Sequence, residues 1–203
     1  MIRNRVARAM FIVAATGLLV GALLMRPLAE GIEPGLWWTS AHVAWLIGYL
    51  AFVPVLLELR ALARPSLLGN IVGLVGVLGA LAISVQMVAD LVAGLQAATR
   101  DELRAGTGAF RALPGVDLAV YGVGPQLLYV GVLGLVLLLA LRRTIPLLPA
   151  VGVGVGTVLY AAGMIAGRNP VLQVTGLVVL CVGLVGIAYA GRRQTGKVIA
   201  SAP

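Results

Sequence analysis

Charge is scarce in this chain, histidine and cysteine occur once each, and no catalytic or metal-binding motif is present. Each scarcity excludes something. Charged residues make up 11% of the 203 positions and hydrophobic residues 61%, whereas an ordinary soluble domain carries about 25% charge and could not bury such an excess. The single cysteine, Cys181, lies in an apolar stretch. It allows no intramolecular disulfide and no thiolate metal site within one chain, and it reads as a small buried hydrophobe. A single histidine, His42, rules out a bis-histidine haem unless two copies of the chain pair. The paired-histidine zinc signature, the nucleophile elbow and a strand-linked phosphate loop are all missing. "VGVGVG", residues 151–156, has the glycines of such a loop but opens an apolar helix with no strand before it. No catalytic residue, metal or cofactor is therefore expected.

What the sequence does contain is six apolar stretches, most of about 18 residues or more, the length that crosses roughly 30 Å of hydrocarbon at 1.5 Å per residue. They cover about 9–25, 38–57, 67–88 or beyond, 118–141, 147–166 and 171–190. They predict an all-α fold, a polytopic transmembrane helical bundle of six spans forming one membrane domain over 1–203. The net charge of +8 would suggest nucleic acid in a soluble protein. Here the basic residues sit in short clusters between spans, with no face interleaving them with stacking aromatics, so no nucleic-acid partner is expected.

With a cytoplasmic amino terminus, the inside segments hold Arg3, Arg5, Arg8, Arg60, Arg64, Arg142, Arg143, Arg192, Arg193 and Lys197, and the outside segments hold Arg26, Arg100, Arg104, Arg111 and Arg168. This bias is characteristic of short cytoplasmic loops and predicts that both termini are cytoplasmic. The first span also has the charged start and apolar core of a signal peptide. Its length, and Pro27 within the nearest candidate cleavage site "RPLA", favour a retained span.

The outside loop, about 96–116, reads "QAATRDELRAGTGAFRALPGV". Its first residues favour helix, which predicts that the third helix continues above the membrane until Gly106 and Gly108 break it. Two hairpins share a pattern: "LR" at Leu59-Arg60 and Leu141-Arg142, then Pro65 or Pro146, then Gly73 or Gly154. Duplication and independent helix-start and packing preferences both explain it.

His42 lies within "WWTSAHVAWLIGYLAF", residues 37–52. Trp38, His42, Trp45, Tyr49 and Phe52 follow a four-three spacing and share one helix face, a stripe about 21 Å long. An interfacial aromatic belt explains Trp37 and Trp38 but not the deeper rings. On the third helix Gly69, Gly73, Gly76 and Ala80 repeat at the same spacing. Depth matching across a core of about 30 Å sets Phe52 against Gly73, Tyr49 against Gly76 and Trp45 against Ala80, and places His42 beside Ile83 to Gln86. Two readings stay open: an aromatic ridge packed in a glycine groove, or an aromatic-lined slot for a lipid, isoprenoid or quinone. A small polar cluster is expected nearby from His42, Gln86, Asp90 and Gln126, with Tyr121 and Gln173 nearer the outer edge, since polar side chains in a membrane turn toward the bundle. A structural His42 is expected to bond Gln86. The candidate ligand-binding residues are His42, Trp45, Tyr49, Gln86, Asp90 and Gln126.

"SAHVAWLIGYLAFVPVLLELRALAR", followed by a glycine-rich helix ending in "QMVAD", resembles hypothetical six-span bacterial membrane proteins that carry no assigned activity. The resemblance rests on His42, Trp45, Gly48 and Asp90, and it implies the bacterial inner (cytoplasmic) membrane and no catalytic residue. Three functions follow as expectations. The first is a non-enzymatic binding or accessory subunit whose partners are membrane lipids, an apolar small molecule, and a membrane protein or a second copy of the chain. The others are a small proton-coupled transporter using His42 and Asp90, and a membrane-embedded enzyme.

Overall fold

Apolar stretches of this length place their backbone polar groups in helical hydrogen bonds, since hydrocarbon offers no alternative partner. The computed structural model describes residues 5–25, 33–63, 66–167 and 169–190. Among these, the elements are α1 (Arg5–Leu24), α2 (Leu36–Leu62), α3 (Leu67–Gln96), α4 (Arg100–Arg111), α5 (Gly124–Leu141), α6 (Leu147–Ile165) and α7 (Pro170–Tyr189), with a π-helical stretch, Asp117–Val123, leading into α5. All but α4 are long and apolar enough to span a membrane, α5 together with its π-helical lead. The chain is an all-helical, multi-pass membrane protein. The candidate cleavage segment 26–30 and Pro65 of the hairpin pattern lie outside the described residues.

The bundle is built from antiparallel pairs, α1 with α2, α3 with α5 and α6 with α7, joined by α2 against α3 and α1 against α7. Glycine sets the close approaches, as expected where lipid removes the hydrophobic drive between helices. A Cβ on Gly17 would lie 2.7 Å from Gly48 Cα, and one on Gly76 would lie 3.1 Å from Gly131 Cα. Tyr49, Tyr129 and Tyr160 converge in the interior from α2, α5 and α6. The start of α1, the α2–α3 and α5–α6 turns and the end of α7 lie at one end of the bundle. The α4 segment lies at the other.

Two expectations are corrected here. α3 does not continue to Gly106 and Gly108. It stops at Gln96, and a separate helix begins at Thr99, whose hydroxyl accepts from the Glu102 amide at 3.3 Å while Glu102 Oε2 accepts from the Ala98 amide at 2.7 Å. This reciprocal cap restarts the helix, and both glycines lie inside α4. The register of α2 on α3 also differs. Gly73 faces the Arg60 stem, Gly76 faces Leu56 and Gly131, and Gly79 faces Leu127 and Leu128 of α5. α2 runs on to Leu62 rather than ending near 57, which moves the turn of the hairpin and slides each pairing about two helical turns along α2. The α3 glycines serve α5 as much as α2, and the large-on-small match to Tyr49 and Trp45 is not formed.

Candidate functional site

The same shift carries His42 past Gln86 to Asp90. Both residues are buried, at 3% and 7% exposure, inside helices long enough to span a membrane. His42 Nδ1 lies 2.8 Å from the Trp38 carbonyl one turn back. A carbonyl only accepts, so Nδ1 carries a hydrogen and Nε2 is the nitrogen left to face Asp90. Nε2 and Asp90 Oδ2 stand 4.0 Å apart, too far for a direct hydrogen bond.

Asp90 is held from two further sides. Its Oδ1 accepts from the Tyr121 hydroxyl at 2.8 Å, and its backbone carbonyl accepts from the Trp38 indole at 3.4 Å. The Gln86 amide, one turn earlier on α3, also lies within reach of the carboxylate. Tyr121 comes from the π-helical stretch, whose residues are otherwise outside the core, a motif frequently found at functional sites. Trp38 fits because Gly94 has no side chain: a Cβ there would collide with the indole. The imidazole packs between two indoles, with ring centroids 3.9 Å from Trp38 and 5.2 Å from Trp45.

α4 covers this end. Leu103 joins Trp38 and Ala93 in a small apolar cluster, and Phe110 meets Tyr121 edge-on at 6.3 Å. Arg111 places its guanidinium 5.0 Å from the Tyr121 ring centre while bonding Asp117, with Nη2 at 2.6 Å from Oδ1.

The sequence-predicted site residues therefore separate into three groups. His42, Asp90 and Gln86 come together. Trp45 turns to α1, where its indole donates to the Leu18 carbonyl at 3.2 Å and lies over Gly21, and Tyr49 joins the tyrosine trio. Gln126 is exposed and joins no contact to Asp90 or His42. His42 bonds Trp38 rather than Gln86, because an i−4 carbonyl is in reach at no cost in register. Trp38, Tyr121 and Arg111 were outside the candidate ligand-binding residues, although Tyr121 was expected at the outer edge of the polar cluster. The stripe held Trp38 as a belt residue, whereas the reach of Tyr121 depends on a π-helical turn that no spacing rule shows. Comparison with protein-family models, curated proteins and solved structures finds no match.

Proposed function

We propose that this protein is a non-enzymatic binding subunit of the bacterial cytoplasmic membrane, holding an apolar ligand by a polar head group at the His42–Asp90–Tyr121 cluster, on the side away from the cytoplasm. One observation carries this reading. His42 Nε2 and Asp90 Oδ2, on two buried side chains, face each other at 4.0 Å without a direct bond, a gap that one polar group hydrogen-bonding to both would bridge. A ligand hydroxyl or carbonyl entering under α4 would do so, with the Trp38 and Trp45 rings alongside. The stripe below is filled by protein, so the ligand is assigned to the cluster rather than along the stripe. Inner-membrane residence rests on the basic-residue bias and on the resemblance to six-span bacterial proteins.

Mass spectrometry of small molecules retained after gentle purification tests this. The expected result is one apolar molecule per chain in the wild type and at least about tenfold less in Asp90→Asn, from the loss of a charge-assisted contact. Equal retention in that variant, or none in either, would sink the proposal, as would stoichiometric haem or metal.

Proton-coupled transport is the second reading, favoured by the opposition of one imidazole nitrogen and one carboxylate oxygen across α2 and α3. It predicts pH-dependent uptake into vesicles that Asp90→Asn abolishes. Among the described residues the other buried polar side chains besides His42 and Asp90 are Ser84 and Thr157. Both hydroxyls are spent on their own helix, at Ala80 and Val153, and offer no onward path.

A further inference from the structure

The two ends of the bundle treat their arginines differently. At the α4 end, every described arginine has a carboxylate: Arg100 with Glu33, Arg104 with Asp101 and Arg111 with Asp117. At the opposite end, Arg5, Arg8, Arg60, Arg142 and Arg143 form no salt bridge with any described residue. The adjoining sequence adds Arg3, Arg64, Arg192, Arg193 and Lys197 without one Asp or Glu, and Glu58 is the only acidic residue among the described ones at that end. A topology bias accounts for where basic residues gather. It does not require that they go without counter-charge.

Two local features show that these cations are held in place. The Arg142 guanidinium donates to the Ala63 carbonyl, tying the α5–α6 turn to the end of α2, and Arg60 Nε donates to Asn70 Oδ1 at 2.9 Å. Arg8 Nε, in contrast, is buried with no hydrogen-bond partner. The end of α5 adds an independent sign. Thr144 donates to the Leu139 carbonyl and Arg143 to that of Ala140, the paired bonds of a helix stop whose left-handed position normally takes glycine. Here Arg143 takes it, at φ 53°, the sole described non-glycine residue with positive φ. A strained arginine at a position that glycine would fill without strain is a sign of a needed charge.

We infer that this end is a docking surface for the phosphate groups of anionic phospholipids, with Arg8, Arg60, Arg142 and Arg143 as its cations. The occupant is a lipid rather than a soluble anion because the cations stand at the ends of lipid-facing helices, level with head groups. Guanidinium also binds phosphodiester oxygens in a geometry that ammonium lacks.

The test uses the full-length protein in dodecyl maltoside micelles doped with either phosphatidylcholine or phosphatidylglycerol at equal mole fraction, with thermal midpoints as the readout. Phosphatidylglycerol is expected to raise the wild-type midpoint by about 5–10 °C over phosphatidylcholine at saturation. Arg143→Gly should unfold higher than wild type in phosphatidylcholine, because strain is relieved, yet lose at least about half of the phosphatidylglycerol increment. Arg143→Lys, which keeps the charge without the guanidinium fork, should keep more of that increment than Arg143→Gly and less than wild type. An undiminished increment in Arg143→Gly, or the same increment from inorganic phosphate without lipid, would overturn the inference. Should Arg143→Gly fold poorly, Arg8→Gln provides the same comparison at the buried unpaired nitrogen.

Discussion

Asp90 accepts from two donors on two elements, the Tyr121 hydroxyl at Oδ1 and the Trp38 indole at its backbone carbonyl, and faces His42 of α2 across a 4.0 Å gap at Oδ2. A residue so held is a hinge point for stability as well as for binding, and the two roles separate by mutation. Tyr121→Phe removes a 2.8 Å hydrogen bond and leaves the ring against Phe110 and Arg111, so it should cost about 1–2 kcal/mol. In an Asp90→Leu background, the same change should cost almost nothing, because the partner is already gone. Equilibrium unfolding of the four proteins in mild detergent measures this, and additive losses would show that the Tyr121 hydroxyl does not act through Asp90. His42→Gln is expected to fold normally, since the imidazole bonds only its own helix directly, while an amide cannot take up a proton near neutral pH. Unimpaired ligand retention in that variant would remove His42 from the site.

At the scale of elements, helix approach is governed by which glycines face a neighbour and which face lipid. Gly76 and Gly154 make the contrast. A Cβ on Gly76 meets Leu56 at 2.8 Å and the Gly131 backbone at 3.1 Å, whereas one on Gly154 meets nothing within 4 Å. Gly76→Leu should therefore destabilise the bundle by about 1–3 kcal/mol through overpacking, and Gly154→Leu should be neutral or slightly stabilising, since leucine is the better helix former. Thermal midpoints of both variants decide it. Equal midpoints would mean that α3 and α5 do not approach as closely as described.

The elements also show what a sequence can and cannot reveal. Six spans were legible because apolar length is a one-dimensional property. The aromatic face of α2 was legible too, because Trp38, His42, Tyr49 and Phe52 are all buried as their spacing requires. Pairing was not, because it depends on where α2 ends. Its continuation to Leu62 exchanged Gln86 for Asp90 opposite His42, and helix ends are the least certain feature of any sequence reading. The Thr99–Glu102 cap has its signal in "TRDE", which the expectation of a continuous third helix passed over, and it shows that a local signal outranks the average helix propensity around it. The π-helical delivery of Tyr121 had no such signal.

The whole molecule is polarised along its length. One end carries a capped, charge-balanced polar cluster, and the other carries arginines that form no salt bridge with a described residue, so the two proposed binding surfaces would face opposite leaflets. The ten-to-five division of basic residues predicts which is which. A cysteine introduced at Gly108, exposed on α4 with no neighbour at its Cβ, should react with a membrane-impermeant maleimide in intact cells, and one at Gln194 should react only after the membrane is opened. Native Cys181 supplies little background, because its thiol is half-buried in α7 against the Ala15 carbonyl. The reverse labelling pattern would place His42 and Asp90 at the cytoplasmic face and leave the unpaired arginines outside, against the electrostatic preference that anchors them. Orientation thus tests both surfaces at once: the ligand cluster requires access from the outer leaflet, and the arginine end requires the anionic lipid of the inner one.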